Sequence, residues 1–121
     1  MKKIVSIVSL IVMAILLPIT VHASGITVTP YSSISLDIHG IYYDAQTVTD
    51  ITADNAIEGS IYYNGQKMDT VSGFKNGTSL YVSKTYPNTQ ASFTVSEYTR
   101  HFGQGPYDQV YEFWTHDEMV Y

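Results

Sequence analysis

The sequence predicts an all-β protein: a single antiparallel β-sandwich or small barrel, preceded by a signal-peptide helix. Three observations carry this. Apolar and polar residues alternate with period two in several segments rich in Thr, Tyr, Val and Ile. Turn residues punctuate the chain at Gly40, Asn64-Gly65, Asn76-Gly77, Pro87-Asn88 and Gly103-Gln104-Gly105-Pro106. No window places apolar residues at i, i+3, i+4 and i+7 over three turns.

The first 23 residues stand apart. Lys2 and Lys3 precede an apolar run from Ile4 to Leu17, Pro18 interrupts it, and Val21-His22-Ala23 offers a cleavage site. That order is the pattern of a secretory signal and predicts a secreted, extracellular protein. Residues 1–23 are thus read as leader and 24–121 as one domain, with no stable membrane anchor after cleavage. A spanning helix needs about 20 apolar residues, and Pro18 shortens this run. Residues 24–121 hold 11 acids against Lys67, Lys75, Lys84 and Arg100, a net charge of −7. This balance argues against nucleic acid or anionic membrane as partner, because phosphate binding needs clustered cations. The absence of cysteine excludes disulfides, thiol nucleophiles and thiolate metal sites.

Taken in order, Ile26 and Val28 alternate with threonine, and Ile34, Leu36 and Ile38 form an opening strand. Asn64-Gly65 between Ile61-Tyr62-Tyr63 and Gln66-Lys67-Met68 is a strong hairpin signal, since both residues tolerate the positive φ of a type I′ turn. Ala91 to Phe102 and Tyr107 to Trp114 form a longer ribbon around Gly-Gln-Gly-Pro, with a bulge expected near Tyr98 to His101. Residues 41–48 echo residues 61–68, which reads as shared composition of two tyrosine-rich segments rather than duplication. Asn76-Gly77-Thr78 fits a glycosylation acceptor and is read as a turn.

Catalytic and metal motifs are not visible. His39, His101 and His116 have no metal-ligand spacing. Asp50, Thr52, Asp54 and Glu58 only partly resemble a calcium loop, with Asn55 where its glycine belongs, and read as a polar connection. Thr115-His116-Asp117-Glu118 reads as a solvated end after the last strand, and Glu97 and Glu112 as residues facing each other across the final ribbon. No cofactor, metal or catalytic residue is assigned.

The 16 aromatics, 11 of them tyrosine, are the most unusual feature. In the pairs Tyr42-Tyr43 and Tyr62-Tyr63, strand geometry turns one ring inward and the other outward. Tyr and Trp offer large contact area with few rotatable bonds. The expected function is therefore noncatalytic binding through an exposed tyrosine-rich face (Tyr42, Tyr62, Tyr111 and Trp114). The partner is an unidentified cell-surface or host macromolecule, protein or glycan. A bacteriocin- or toxin-like effector is the alternative, with a hydrolase or metal-dependent enzyme behind it.

The Lys-Lys leader, the strand Ile34 to Ile38, the Tyr-Tyr-Asn-Gly-Gln-Lys segment at 62–67 and the ribbon from Ser92-Phe93-Thr94-Val95 to Phe113 together resemble small secreted Ig-like or fibronectin-type sandwich proteins of Gram-positive bacteria. The resemblance implies an Ig-like sandwich and transfers no functional residues. Trp114 lies in the last strand, unlike the tryptophan of true immunoglobulin domains.

Overall fold

The computed structural model describes residues 21–23, 25–37, 40–87 and 92–120. These form six strands: β1 (Val21–Ala23), β2 (Ile26–Asp37), β3 (Gly40–Tyr63), β4 (Gln66–Tyr86), β5 (Thr94–Gln104) and β6 (Val110–Val120). The protein is all-β, with no helix among the described residues, and every pairing is antiparallel. The expected signal-peptide helix falls on residues outside those described, although β1, within the expected leader, pairs with β2 from Val21↔Val28 to Ala23↔Ile26.

The organising element is the ribbon of β3 (24 residues) and β4 (21 residues). The Asn64-Gly65 turn expected from sequence joins them, with φ of 50° and 82°. Register is lost between Val48 and Ala53, where residues 49–52 of β3 oppose Thr78 alone. Extra residues on one strand bend it, so the ribbon doubles back here. Two observations establish the fold-over. Asp69, near one end of β4, accepts hydrogen bonds from Lys84 Nζ and Tyr86 Oη near the other, both at 2.7 Å. On β3 the Tyr43 hydroxyl lies so close over Gly59 that a Cβ there would collide with it.

The bend also splits the far edge of β3. Its first half pairs with β2 (Leu36↔Ile41 to Val28↔Thr49) and its second half with β5 (Asp54↔Gln104 to Tyr63↔Val95). The result is one curled sheet whose concave side is the interior. Odd-numbered residues of β3, β5 and β6 and even-numbered residues of β2 point inward. Ile34, Ile41, Tyr43, Ile57, Ile61, Val95 and Met119 belong to the main apolar cluster. Ile26, Val28, Ala53 and Tyr111 form a second. Polar residues separate the two: Ser32 lies between Val28 and Ile34 on β2, and Thr115 and Asp117 between Phe113 and Met119 on β6.

Several expectations are corrected. The β5–β6 register runs unbroken from Thr94↔Val120 to Gln104↔Val110, so there is no bulge at Tyr98 to His101. The irregularities fall at residues 49–52 and at Met68, beside the hairpin turn. Residues 50–58, read as a connection, are strand. Asn76-Gly77 is no chain reversal but lies within β4 at the bend. Residues 115–118 lie within β6 because that strand continues to pair with β5. Residues 41–48 are uninterrupted strand whereas 61–68 turn a corner, so the echo is not a repeated structural unit.

Candidate functional site

Two parts of the molecule concentrate chemistry: the convex face of β4–β3–β5–β6 and a polar chain inside the curl.

Strand pairing sets the rows of the convex face. Phe74, Ala56, Phe102 and Glu112 align across the four strands. Ser72, Glu58, Arg100 and Trp114 form the next row, and Thr70, Ser60, Tyr98 and His116 the one after. Phe74, Trp114 and Tyr98 are 69%, 62% and 46% exposed, well beyond what core packing leaves open. Tyr98 is nevertheless held. Its ring stacks on His116 at 4.2 Å, meets Tyr62 edge-on at 5.9 Å, and His116 Nδ1 lies 2.7 Å from the Glu97 carbonyl. Arg100 lies over the Phe102 ring at 3.9 Å and pairs with Glu112. A shallow cleft of about 410 Å³ opens here, lined by Asp54, Phe74, Arg100, Phe102, Gln104 and Glu112 among others.

This face contains two of the four aromatics expected from sequence, Tyr62 and Trp114. Tyr42 is outward on the other half of β3, its hydroxyl 2.6 Å from that of Tyr81. Tyr111 does not belong to an exposed surface. It is 2% exposed, donates a 2.6 Å hydrogen bond to Asn55 Oδ1, and its phenol is pushed up to about 12 by burial. The odd positions of β6 face inward, and Tyr111 follows its register. Phe74, Tyr98 and Phe102 were not among the expected site residues. The signal for the last two was available: continuing the inward series Phe93, Val95 through Glu97, Thr99 and His101 turns Tyr98 and Phe102 outward.

The interior chain is built from β2, β3, β5 and β6. Glu97 Oε2 lies 2.7 Å from Ser32 Oγ, which lies 2.5 Å from Thr115 Oγ1. Thr115 Oγ1 is 2.8 Å from His101 Nε2, and His101 Nδ1 is 2.8 Å from Thr47 Oγ1. On its other oxygen Glu97 accepts from Thr99 at 2.5 Å, and Thr99 is 2.8 Å from the Tyr43 hydroxyl. Glu97, Thr99, His101 and Thr47 have no exposed surface. Burial therefore disfavours charge: the Glu97 carboxyl is pushed up to about 8 and the His101 imidazole down to about 4. Asp117, opposite Glu97 in the ladder, accepts from the backbone N–H of Ile34 at 3.0 Å and of Glu118 at 2.8 Å. Its carboxyl is raised by burial.

Glu97 and Glu112 therefore do not face each other. Glu97 is inward opposite Asp117, and Glu112 is outward opposite Phe102. His101 and His116 point to opposite sides of the sheet, and His39 lies outside the described residues. Among the described residues no group of three His or acidic side chains converges as metal ligands would. Asp50, Thr52, Asp54 and Glu58 are all exposed along β3, spread out by the strand.

No family model and no curated protein matches the chain. Among solved structures it is similar to a chain named pT26-6p, at a TM-score of 0.35 and 10% identity, over 78% of this chain and 22% of that one.

Proposed function

We propose that the protein is a secreted, noncatalytic binding module whose convex aromatic face, centred on Tyr98 and Trp114, takes a neutral glycan. The supporting observation is that Phe74, Tyr98 and Trp114 are exposed on one rigid sheet face while Tyr98 is locked between Tyr62 and His116. A ring already fixed by its neighbours loses little freedom when a ligand lies on it. Sugar rings present C–H faces that sit on aromatic planes, and hydroxyls that need polar partners. Asp54, Glu58, Ser72 and Gln104 supply those partners beside the rings. The charge pattern disfavours an anionic ligand. Asp54, Glu58, Glu112 and Glu118 are acidic, against Lys67 beside Tyr62 and the one guanidinium, Arg100, which is engaged by Glu112 and Phe102.

A noncatalytic role fits the sealed position of Glu97 and the ion-paired state of Glu112. Secretion is supported by the leader pattern of residues 1–23. We read the curl of the sheet as a flattened barrel, closed along one side by Asp69 with Lys84 and Tyr86 and along the other by Asp117 with Ile34.

The test is retention on immobilised neutral polysaccharides. The protein is expected to be retained on at least one. Tyr98→Ala and Trp114→Ala are expected to abolish retention without loss of fold, while Tyr81→Ala, on the other half of the ribbon, leaves it intact. Equal retention of all three variants, or capture of protein ligands only, overturns the assignment.

A further inference from the structure

The interior chain has a property that follows from counting its protons. Each hydroxyl has one proton and donates once. Thr47, His101, Thr115, Ser32 and Glu97 are linked end to end, so the direction of one hydrogen bond fixes the direction of all. We propose that Glu97 and His101 titrate as one unit: loss of a single proton from this chain charges Glu97 and switches His101 from its Nδ1–H to its Nε2–H tautomer.

In the protonated form Glu97 Oε2–H donates to Ser32, Ser32 to Thr115, and Thr115 to the lone pair of His101 Nε2. The His101 Nδ1–H then donates to Thr47. In the ionised form every bond reverses. Thr47 donates to Nδ1, Nε2–H donates to Thr115, Thr115 to Ser32, and Ser32 to the Glu97 carboxylate. The balance is one proton. The Glu97, Ser32 and Thr115 protons each move one bond along the chain toward His101, the proton on Nδ1 is the one released, and Thr47 turns its own hydroxyl proton onto the vacated Nδ1. The other arm is unchanged, because Tyr43 donates to Thr99 and Thr99 to Glu97 Oε1 in both forms.

Burial holds both ends of the chain. Glu97, His101 and Thr47 are fully covered and Ser32 is buried, while Thr115, the middle link, is half-buried and held by its bonds to Ser32 and His101. The titratable groups beside the Glu97 carboxyl inside the curl are Asp117 from β6, Tyr43 from β3 and His101 on its own strand; Asp44 from β3 and Tyr31 from β2 act on it electrostatically from outward positions, and His116 from β6 contacts only its backbone carbonyl from the convex face. The carboxylates of Asp117 and Asp44 disfavour a second negative charge, which adds to desolvation in holding the proton on. Because Ser32 belongs to β2 while Glu97 and Thr115 belong to β5 and β6, the unit is also a clasp whose polarity changes with pH.

The experiment is NMR of the protein labelled with ¹⁵N-histidine and ¹³C-glutamate, followed from pH 5 to 9.5. The Glu97 carboxyl carbon and both His101 ring nitrogens are expected to move with one shared midpoint near pH 8, the N–H passing from Nδ1 to Nε2. A His101 tautomer that stays constant while Glu97 titrates overturns the proposal, as does a Glu97 carboxyl that does not titrate in this range. Thr115→Val cuts the chain at a side chain of similar shape. In that variant Glu97 is expected to titrate while the tautomer no longer follows. A tautomer that still tracks Glu97 shows that the coupling runs elsewhere and defeats the proposal. If that variant does not fold, the titration of the unaltered protein decides alone.

Discussion

Raising the pH from 6.5 to 8 is expected to destabilise this domain by about 2 kcal/mol, at about 1.4 kcal/mol per pH unit for each proton held only by the folded state. The Glu97 carboxyl sits near 8 in the fold against 4.5 in an unfolded chain. Between those values the folded state holds a proton that the unfolded state has released, so stability falls as pH rises. His101 acts in the opposite sense. Its imidazole is held near 4 against 6.5. Between those values the unfolded state holds the extra proton, and stability rises with pH. The two slopes cancel from about pH 4.5 to 6.5. Above 6.5 Glu97 acts alone and stability declines until about pH 8. Below 4.5 His101 acts alone and stability is lost on further acidification. Asp117, also raised by burial, acts in the same direction as Glu97 within the carboxylate range. The assay is urea unfolding followed by far-ultraviolet circular dichroism from pH 4 to 9. Glu97→Gln mimics the protonated acid, since its amide donates to Ser32 and its carbonyl accepts from Thr99. The variant is expected to match the parent near pH 6 and to exceed it by about 2 kcal/mol at pH 8. A parent whose stability is level or rising between pH 6.5 and 8 refutes the reasoning, as does a Gln variant with the parent's slope.

Three further outcomes are expected. Tyr111→Phe leaves the Oδ1 of fully buried Asn55 without its donor and should cost about 1–3 kcal/mol in urea unfolding. The effect should be marked because Asn55 also donates to the carbonyls of Ala53 and Gly77 beside the bend. Gly103→Ala puts a Cβ against the Asp54 carbonyl and 2.7 Å from the Tyr111 ring, so β5 must part locally from β3, costing about 1–3 kcal/mol by thermal melting. Glu112→Ala removes an ion pair between half-exposed groups and should change stability by less than about 1 kcal/mol, an effect that shrinks further in added salt.

The sequence pattern locates β2, the Asn64-Gly65 hairpin and the β5–β6 ribbon because their inward positions start with apolar residues: Ile26, Ile34, Ile61 and Val95. It conceals the length of β3 and β4 and the fate of residues 115–118. There the inward positions are Thr47, Thr49, Asn55, Thr99, Thr115 and Asp117, so contrast between the two faces vanishes although the strand continues. Polar side chains enter this interior because they satisfy one another across strands that only the ribbon's fold-over brings together, a relation no local window contains. The binding face is legible in part for a related reason. Tyr62 and Trp114 are outward as strand geometry suggests. Tyr111 shares their chemistry but not their parity, and Phe74 sits among Gly, Ser, Lys and Asn residues that imitate a loop.

Trp114 is the one tryptophan in the sequence, and it stands on the proposed face, 62% exposed. Its emission therefore reports ligand at that face and nowhere else. Titration with a soluble form of a retained neutral polysaccharide is expected to shift that emission to the blue with saturable dependence, and Tyr98→Ala is expected to remove the response. An emission unchanged at saturating polysaccharide, or an undiminished response in Tyr98→Ala, contradicts the assignment of this face as the binding surface.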